Sequence, residues 1–266
     1  MRLATHCLAA FALAGAVPAL ADDLTIVSRV TQGNEPPTTA TSYLASDHVR
    51  VVQGDGREFM ADLKTGDMTM VDGKRKQYSV ITRQDMEQLK ARMQQQMNSP
   101  EMQRAQEQMK NLPPEVQKKM QAAMGGLMSA VTVQKTGTAR KIAGYACENW
   151  TVAFGQLSKT EQCMSTELPL PMQAWDSYRD FADSMMGMMG AMGPMAKGLA
   201  EMREKMKDMK GFPLSITTTT SVMGRQTTTT TEVVEVKRGP VPASVWQVPA
   251  GYTKVDSPFT KGGRSM

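Results

Sequence analysis

Short runs of apolar and β-branched residues alternate with polar ones from residue 24 to 81. They are Leu24–Val30, Thr41–Leu44, Val49–Gln53, Glu58–Leu63, Met68–Val71 and Gln77–Ile81. A period of two places successive side chains on opposite faces of an extended chain. Gly54-Asp55-Gly56, Lys64-Thr65-Gly66-Asp67 and Asp72-Gly73-Lys74 separate the runs and carry turn chemistry. Strands this short, spaced about ten residues apart, predict an antiparallel meander.

The period changes at residue 82. Thr82 can cap a helix start, with Asp85 three residues on. Met86, Leu89, Met93 and Met97 then fall on one helical face. Ser99-Pro100-Glu101 restarts the helix with a cap and a first-turn proline. Pro113-Pro114 breaks it, and a third helix carries Val116, Met120 and Met124 as far as Gly125-Gly126. Residues 130–166 return to strands. Residues 172–210 are helical again, with Trp175, Tyr178, Phe181 and Met185 on one face and Met195, Leu199, Met202, Met206 and Met209 on another. Gly211 and Pro213 stop that helix. Leu214–Val222 and Thr227–Lys237 form a last hairpin through Gly224, whose threonine tracts suit β geometry. Neither helical block divides the strands into self-sufficient cores. The pattern therefore predicts one α+β domain over residues 22–256, with helical inserts at 82–128 and 172–210 and a disordered tail at 257–266.

Composition changes this picture first at the N-terminus. Arg2, an apolar stretch from Leu8 to Val17, and Pro18-Ala19-Leu20-Ala21 form the three parts of a secretory signal, cleaved after Ala21. The apolar stretch falls short of the roughly 20 residues that span a bilayer, so no transmembrane anchor is expected. The expected product is a periplasmic protein of net charge about +4. Its acids and bases are interspersed, which argues against a nucleic-acid partner.

Two cysteines remain after the signal, Cys147 and Cys163. An even count in an exported chain favours a disulfide over free thiols or a metal pair, and no histidine lies nearby to complete a metal site. Tyr145–Phe154 and Lys159–Thr166 read as a hairpin around Gly155. With Phe154-Gly155-Gln156 as its loop, Cys147 and Cys163 would oppose each other directly.

Three segments resemble a family of exported bacterial proteins known only as domain of unknown function 4412. They are Val49-Arg50-Val51 through Asp62-Leu63 with Met68–Asp72 and Lys76-Gln77-Tyr78, then Thr136–Cys147 with its Ile142-Ala143-Gly144-Tyr145-Ala146-Cys147 motif, and Val245–Tyr252 with Val248-Pro249-Ala250-Gly251-Tyr252. The family is related in fold to the outer-membrane lipoprotein carrier. The resemblance implies a curved antiparallel sheet, a half-barrel, with the methionine-rich helices packed on its concave face. Related carriers hold lipid or acyl chains there, and the resemblance carries over no catalytic residue.

Of 25 methionines, 17 lie in 86–128 and 185–209. They read as ordinary apolar helix faces, as a plastic lining for a hydrophobic ligand, or as thioether ligands for Cu(I). The copper reading rests on Met185, Met186, Met188, Met189, Met192 and Met195. The mature chain holds one histidine, His48, and no hydrolase elbow, zinc-binding pair or phosphate loop. The sequence thus predicts a non-catalytic periplasmic binding or chaperone-like protein without a cofactor. Its ligand would be a lipid or acyl chain, held by Trp150, Val152 and Phe154, which share one hairpin face and point into the cavity, and by Trp175, Phe181, Met185, Met202 and Met206 from a helical lid. Copper handling and a protein partner docked on the amphipathic helices are the alternatives.

Overall fold

The computed structural model describes residues 23–101, 103–104, 108, 111, 113, 115–116, 131–155, 158–168, 204–222 and 225–257, with backbone alone at Lys90, Met93, Met97 and Val222. Their strands form one twelve-stranded sheet that does not close. The first six are β1 (Leu24–Gln32), β2 (Thr38–Leu44), β3 (His48–Val52), β4 (Arg57–Asp62), β5 (Met68–Asp72) and β6 (Gln77–Ile81). They follow the predicted meander, each antiparallel to the next. The other six are β7 (Val131–Ile142), β8 (Tyr145–Phe154), β9 (Ser158–Ser165), β10 (Phe212–Val222), β11 (Arg225–Arg238) and β12 (Thr253–Lys254). The spatial order is β12-β6-β5-β4-β3-β2-β1-β11-β10-β9-β8-β7. Pairing of β1 with β11 joins the N-terminal meander to the C-terminal half.

Local chemistry explains the turns. Ile142 pairs with Tyr145, so Ala143-Gly144 is a two-residue loop, and both residues have positive φ (49° and 88°). That is the loop whose twist matches a tight hairpin. The Ile-Ala-Gly-Tyr motif is therefore a turn signal. In the next hairpin Phe154 pairs with Ser158, so the loop is 155–157, one residue later than the sequence suggested. Gly155 takes φ 52° as its first residue, outside the region open to most side chains. This shift places Cys163 opposite Asn149 rather than Cys147. The disulfide forms all the same, with Cα atoms 5.3 Å apart. A flat ladder would leave such a diagonal pair at about 7–8 Å, and local twist supplies the difference.

The sheet curls strongly at its C-terminal half. Four inter-strand steps separate β11 from β7, roughly 19 Å in a flat sheet. Yet Arg140 of β7 and Glu232 of β11 approach to 3.8 Å. The register places both on the same face, so that face is concave. The main core fills one end of this curl, with Leu24, Ile26, Ile142, Leu168, Leu214, Val233 and the buried disulfide packed together. Strand β7 forms the open edge. A bulge around Gly137 interrupts its register, and Lys135, Arg140 and Lys141 stand exposed along it.

The first predicted helix is present as α1 (Arg83–Met97). Thr82 and Asp85 form the reciprocal capping box, each side chain accepting the other's backbone N–H. None of its described side chains is buried; Met86 and Leu89 are half-buried. The packing of methionine-rich helices on the concave face is thus not seen in the described residues. No helix among them is long and apolar enough to cross a membrane.

Beyond β11 the chain runs as a strap to the far edge of the sheet. Asp23 receives it first: Gly239 N–H donates to its carbonyl (3.1 Å) and Val241 N–H to its carboxylate (3.0 Å). A 3-10 turn, Ala243–Trp246, lies against β3. Strand β12 then pairs in parallel with β6, the one parallel contact in the sheet. Ser257 is buried; the rest of the predicted tail and the signal segment lie outside the described residues.

Candidate functional site

Of the eight residues predicted to hold a ligand, the structure describes Trp150, Val152, Phe154 and Met206. Trp175, Phe181, Met185 and Met202 lie outside the described residues, as do Met186, Met188, Met189, Met192 and Met195 of the copper set. Trp150, Val152 and Phe154 alternate along β8 and share one face. Val133 opposes Val152 and Val131 opposes Phe154, which extends that apolar face onto β7. Val131 and Val152 are buried; Val133, Trp150 and Phe154 are half-buried. The short helical turn at 204–206 is tied to this end of the sheet, because Lys205 Nζ donates to the Val131 carbonyl at 2.6 Å. Half-buried Met206 sits on that turn.

The concave side of the same strands has the opposite character. A cleft of about 330 Å³ opens there, lined by Thr136, Thr138, Arg140, Asn149, Thr151 and, on the neighbouring β9 and β10, Glu161 and Thr217. Trp150 and Gln162 also border it, but alternation directs their side chains to the other face. Trp150, Val152 and Phe154, expected to point into the cavity, thus stand on the face away from the concave side. The bulge around Gly137 brings Thr136 and Thr138 over Asn149. Asn149 Nδ2 donates to Thr138 Oγ1 at 2.8 Å, and Thr136 Oγ1 donates to the Asn149 carbonyl at 3.1 Å. Thr217 and Thr230 share a hydroxyl–hydroxyl bond of 3.1 Å at the floor. The spacing of Thr136, Thr138, Asn149 and Thr151 carried a hint of this: polar residues on the alternate parity of a strand whose other face is apolar.

A second polar group, unread in the sequence, holds the strap. Arg50 is buried in β3 and pairs with Glu58 of β4, its Nε donating at 2.8 Å and its Nη2 closing the fork. Its Nη1 donates to the carbonyls of Val245 and Gln247, the latter at 3.2 Å. Beside it the His48 ring packs on Trp246, centroids 5.4 Å apart. His48 Nδ1 meets Asp47 at 2.6 Å, and Nε2 lies 3.9 Å from Asp62. Hydrogen bonds from Lys64 and then His48 hold the Asp47 carboxyl down to about 2. These groups brace backbone and partner each other, so their geometry is that of a clasp. Among the described residues no group of three or more His, Cys, Asp or Glu is placed to hold a metal ion.

The profile of a family described as a domain of unknown function (DUF4412) matches residues 57–252, well over half of the chain. The chain belongs to this family. The DUF4412 match takes in the Ala143-Gly144 turn, the disulfide, the cleft and nearly all of the strap. No curated protein matches the chain. Among solved structures it is similar to PNGF-II, at 8% identity and a TM-score of 0.40, over 89% of this chain and 31% of that one. It is similar to the Pseudomonas aeruginosa MucA/MucB complex at 11% identity and a TM-score of 0.38, over 86% of this chain and 56% of that one. It is similar to a LolA superfamily protein, NE2245 from Nitrosomonas europaea, at 7% identity and a TM-score of 0.23, over 86% and 91% of the two chains. The DUF4412 chain thus spans about a third of PNGF-II and just over half of the MucB chain.

Proposed function

We propose that this protein is an exported, non-catalytic binding protein that shelters an apolar ligand, a lipid or acyl chain, in the periplasm. The observation that carries this reading is the apolar face of β7 and β8. Val131, Val133, Trp150, Val152 and Phe154 lie side by side there, with the Met206 turn tied to the same strand. In this reading Trp175, Phe181, Met185, Met202 and Met206 form the lid over the ligand. Unbranched, polarizable thioether side chains would adapt to chains of differing shape. Each methylene of the ligand taken from water contributes about 0.8 kcal/mol, offset by the cost of displacing the cover. Cleavage after Ala21 releases the mature chain.

Native mass spectrometry of protein purified from the periplasm, together with titration of a fluorescent fatty-acid analogue, tests the proposal. The mature protein is expected to carry or bind the acyl chain. Phe154→Ser, at a half-buried position, is expected to weaken binding about tenfold without unfolding the sheet. Absence of both co-purified lipid and analogue binding defeats the proposal.

A further inference from the structure

We propose that the concave cleft between β7 and β10 is a binding site for a neutral saccharide. Its chemistry is separate from that of the apolar face, which lies on the other side of the same strands. The volume of about 330 Å³ falls at the small end of the ~300–1,000 Å³ typical of ligand pockets, so it suits one small polar ligand. Of the residues that line it, those that alternation turns onto the concave face supply threonine hydroxyls, one carboxamide, one guanidinium and one carboxylate.

Charge selects against an ionic ligand. Arg140 faces Glu232 at 3.8 Å, and Glu161 is paired with Lys159 at 2.6 Å. The lining therefore carries one cation and one anion, each already partnered by an opposite charge. What remains is a set of directional groups with capacity to spare. At 3.8 Å Arg140 makes no hydrogen bond to Glu232, so its donors stay available. Asn149 spends its amide N–H on Thr138, which leaves its Oδ1 as an acceptor. The Thr151 hydroxyl makes no hydrogen bond to another described residue. Donors and acceptors thus alternate around the cleft. A sugar hydroxyl both donates and accepts, so a ring with several of them can answer such an array. A lipid tail cannot, because it would strand these groups without partners.

The arrangement is also rigid. The bulge around Gly137 sets Thr136 and Thr138 over Asn149, and the disulfide spans β8 and β9 beneath it. Binding in a preformed cleft avoids the cost of ordering loops.

Saturation-transfer-difference NMR on the mature protein tests the site with maltose, cellobiose and N,N'-diacetylchitobiose as neutral probes and glucuronate and glucosamine as charged controls. At least one neutral probe is expected to bind with a millimolar or tighter Kd. Glu161→Gln and Thr151→Val are expected to weaken it at least tenfold. Both leave the core and the β7 bulge untouched, so loss of binding with an unchanged circular dichroism spectrum assigns the effect to the cleft. Phe154→Ser on the opposite face is expected to leave saccharide affinity unchanged, which separates this site from the acyl-chain site. No transfer signal from any neutral probe at roughly 20 mM, about 20-fold above a millimolar Kd, overturns the proposal. So does binding that both cleft variants leave intact, or a charged control that outcompetes every neutral probe.

Discussion

Replacing Arg50 tests how the C-terminal strap is held. The Arg50 and Glu58 side chains are 9% and 12% exposed, so the pair is nearly desolvated. Arg50→Met keeps much of the side-chain volume and removes the charge. It strands the Glu58 carboxylate in a site that offers little water, and it deprives the carbonyls of Val245 and Gln247 of a cationic donor. Removing one partner of a buried pair costs about 3–5 kcal/mol. Because both groups keep a little solvent, the lower part of that range, about 3 kcal/mol, is the expected loss. Replacing both, as Arg50→Met with Glu58→Leu, removes the stranded charge. Only the two carbonyls then lose their donor, at about 1 kcal/mol each, so the double variant should lose about 2 kcal/mol. Urea unfolding followed by circular dichroism at pH 7 measures the three stabilities. Hydrogen exchange locates the effect: the amides of Thr253 and Val255, which donate to the Lys76 and Tyr78 carbonyls, should lose protection while those of β1 and β11 keep theirs. The reasoning is refuted if Arg50→Met costs less than about 1 kcal/mol, or if the double variant is less stable than Arg50→Met alone.

Three other outcomes follow from particular contacts. The Asp47 carboxyl is held at about 2, below its ordinary 3.8, so it contributes stability above pH ~4 that is lost as pH falls through ~2. Lys64 is 75% exposed, so solvent screening leaves about 1 kcal/mol; Asp47→Asn should flatten the stability profile between pH 4 and 2 by that amount in urea titrations. Replacing Cys147 and Cys163 together by alanine should lower the unfolding free energy by about 3 kcal/mol, since the bridge closes a loop over a sequence separation of 16; an unchanged urea midpoint would count against that value. Ala143 holds φ 49° in a two-residue turn that favours asparagine, so Ala143→Asn should raise stability by about 0.5–1 kcal/mol in thermal melts.

The strands of the first half were legible because each carries its own punctuation. Gln77–Ile81 has the boundaries the alternation predicted, and the Thr82–Asp85 box starts α1 where the period changed. The β8–β9 register was harder to read. Gly155 can begin a loop as easily as sit inside one, and a one-residue change moved the cysteine pairing by two. The polar cleft escaped notice because curl is a property of several strands together. Nothing in the spacing of Arg140 and Glu232 announces that residues 92 positions apart in the chain will meet. Arg50 did leave a trace: an arginine between two valines in a strand, with Glu58 eight residues on, is the pattern of a charge that expects a partner indoors.

The exposed flank of β7 bears on how the molecule behaves in a crowd. An unclosed sheet offers its outermost strand as a template on which another copy can stack, the first step toward fibrils. Here the dislocation around Gly137 breaks the straight run of backbone groups, and the exposed Lys135, Arg140 and Lys141 set solvated charged side chains along the strand. The opposite rim is shielded by a short piece of the same chain, bound in parallel. The sheet thus stays unclosed while its outer strand is made a poor template for stacking.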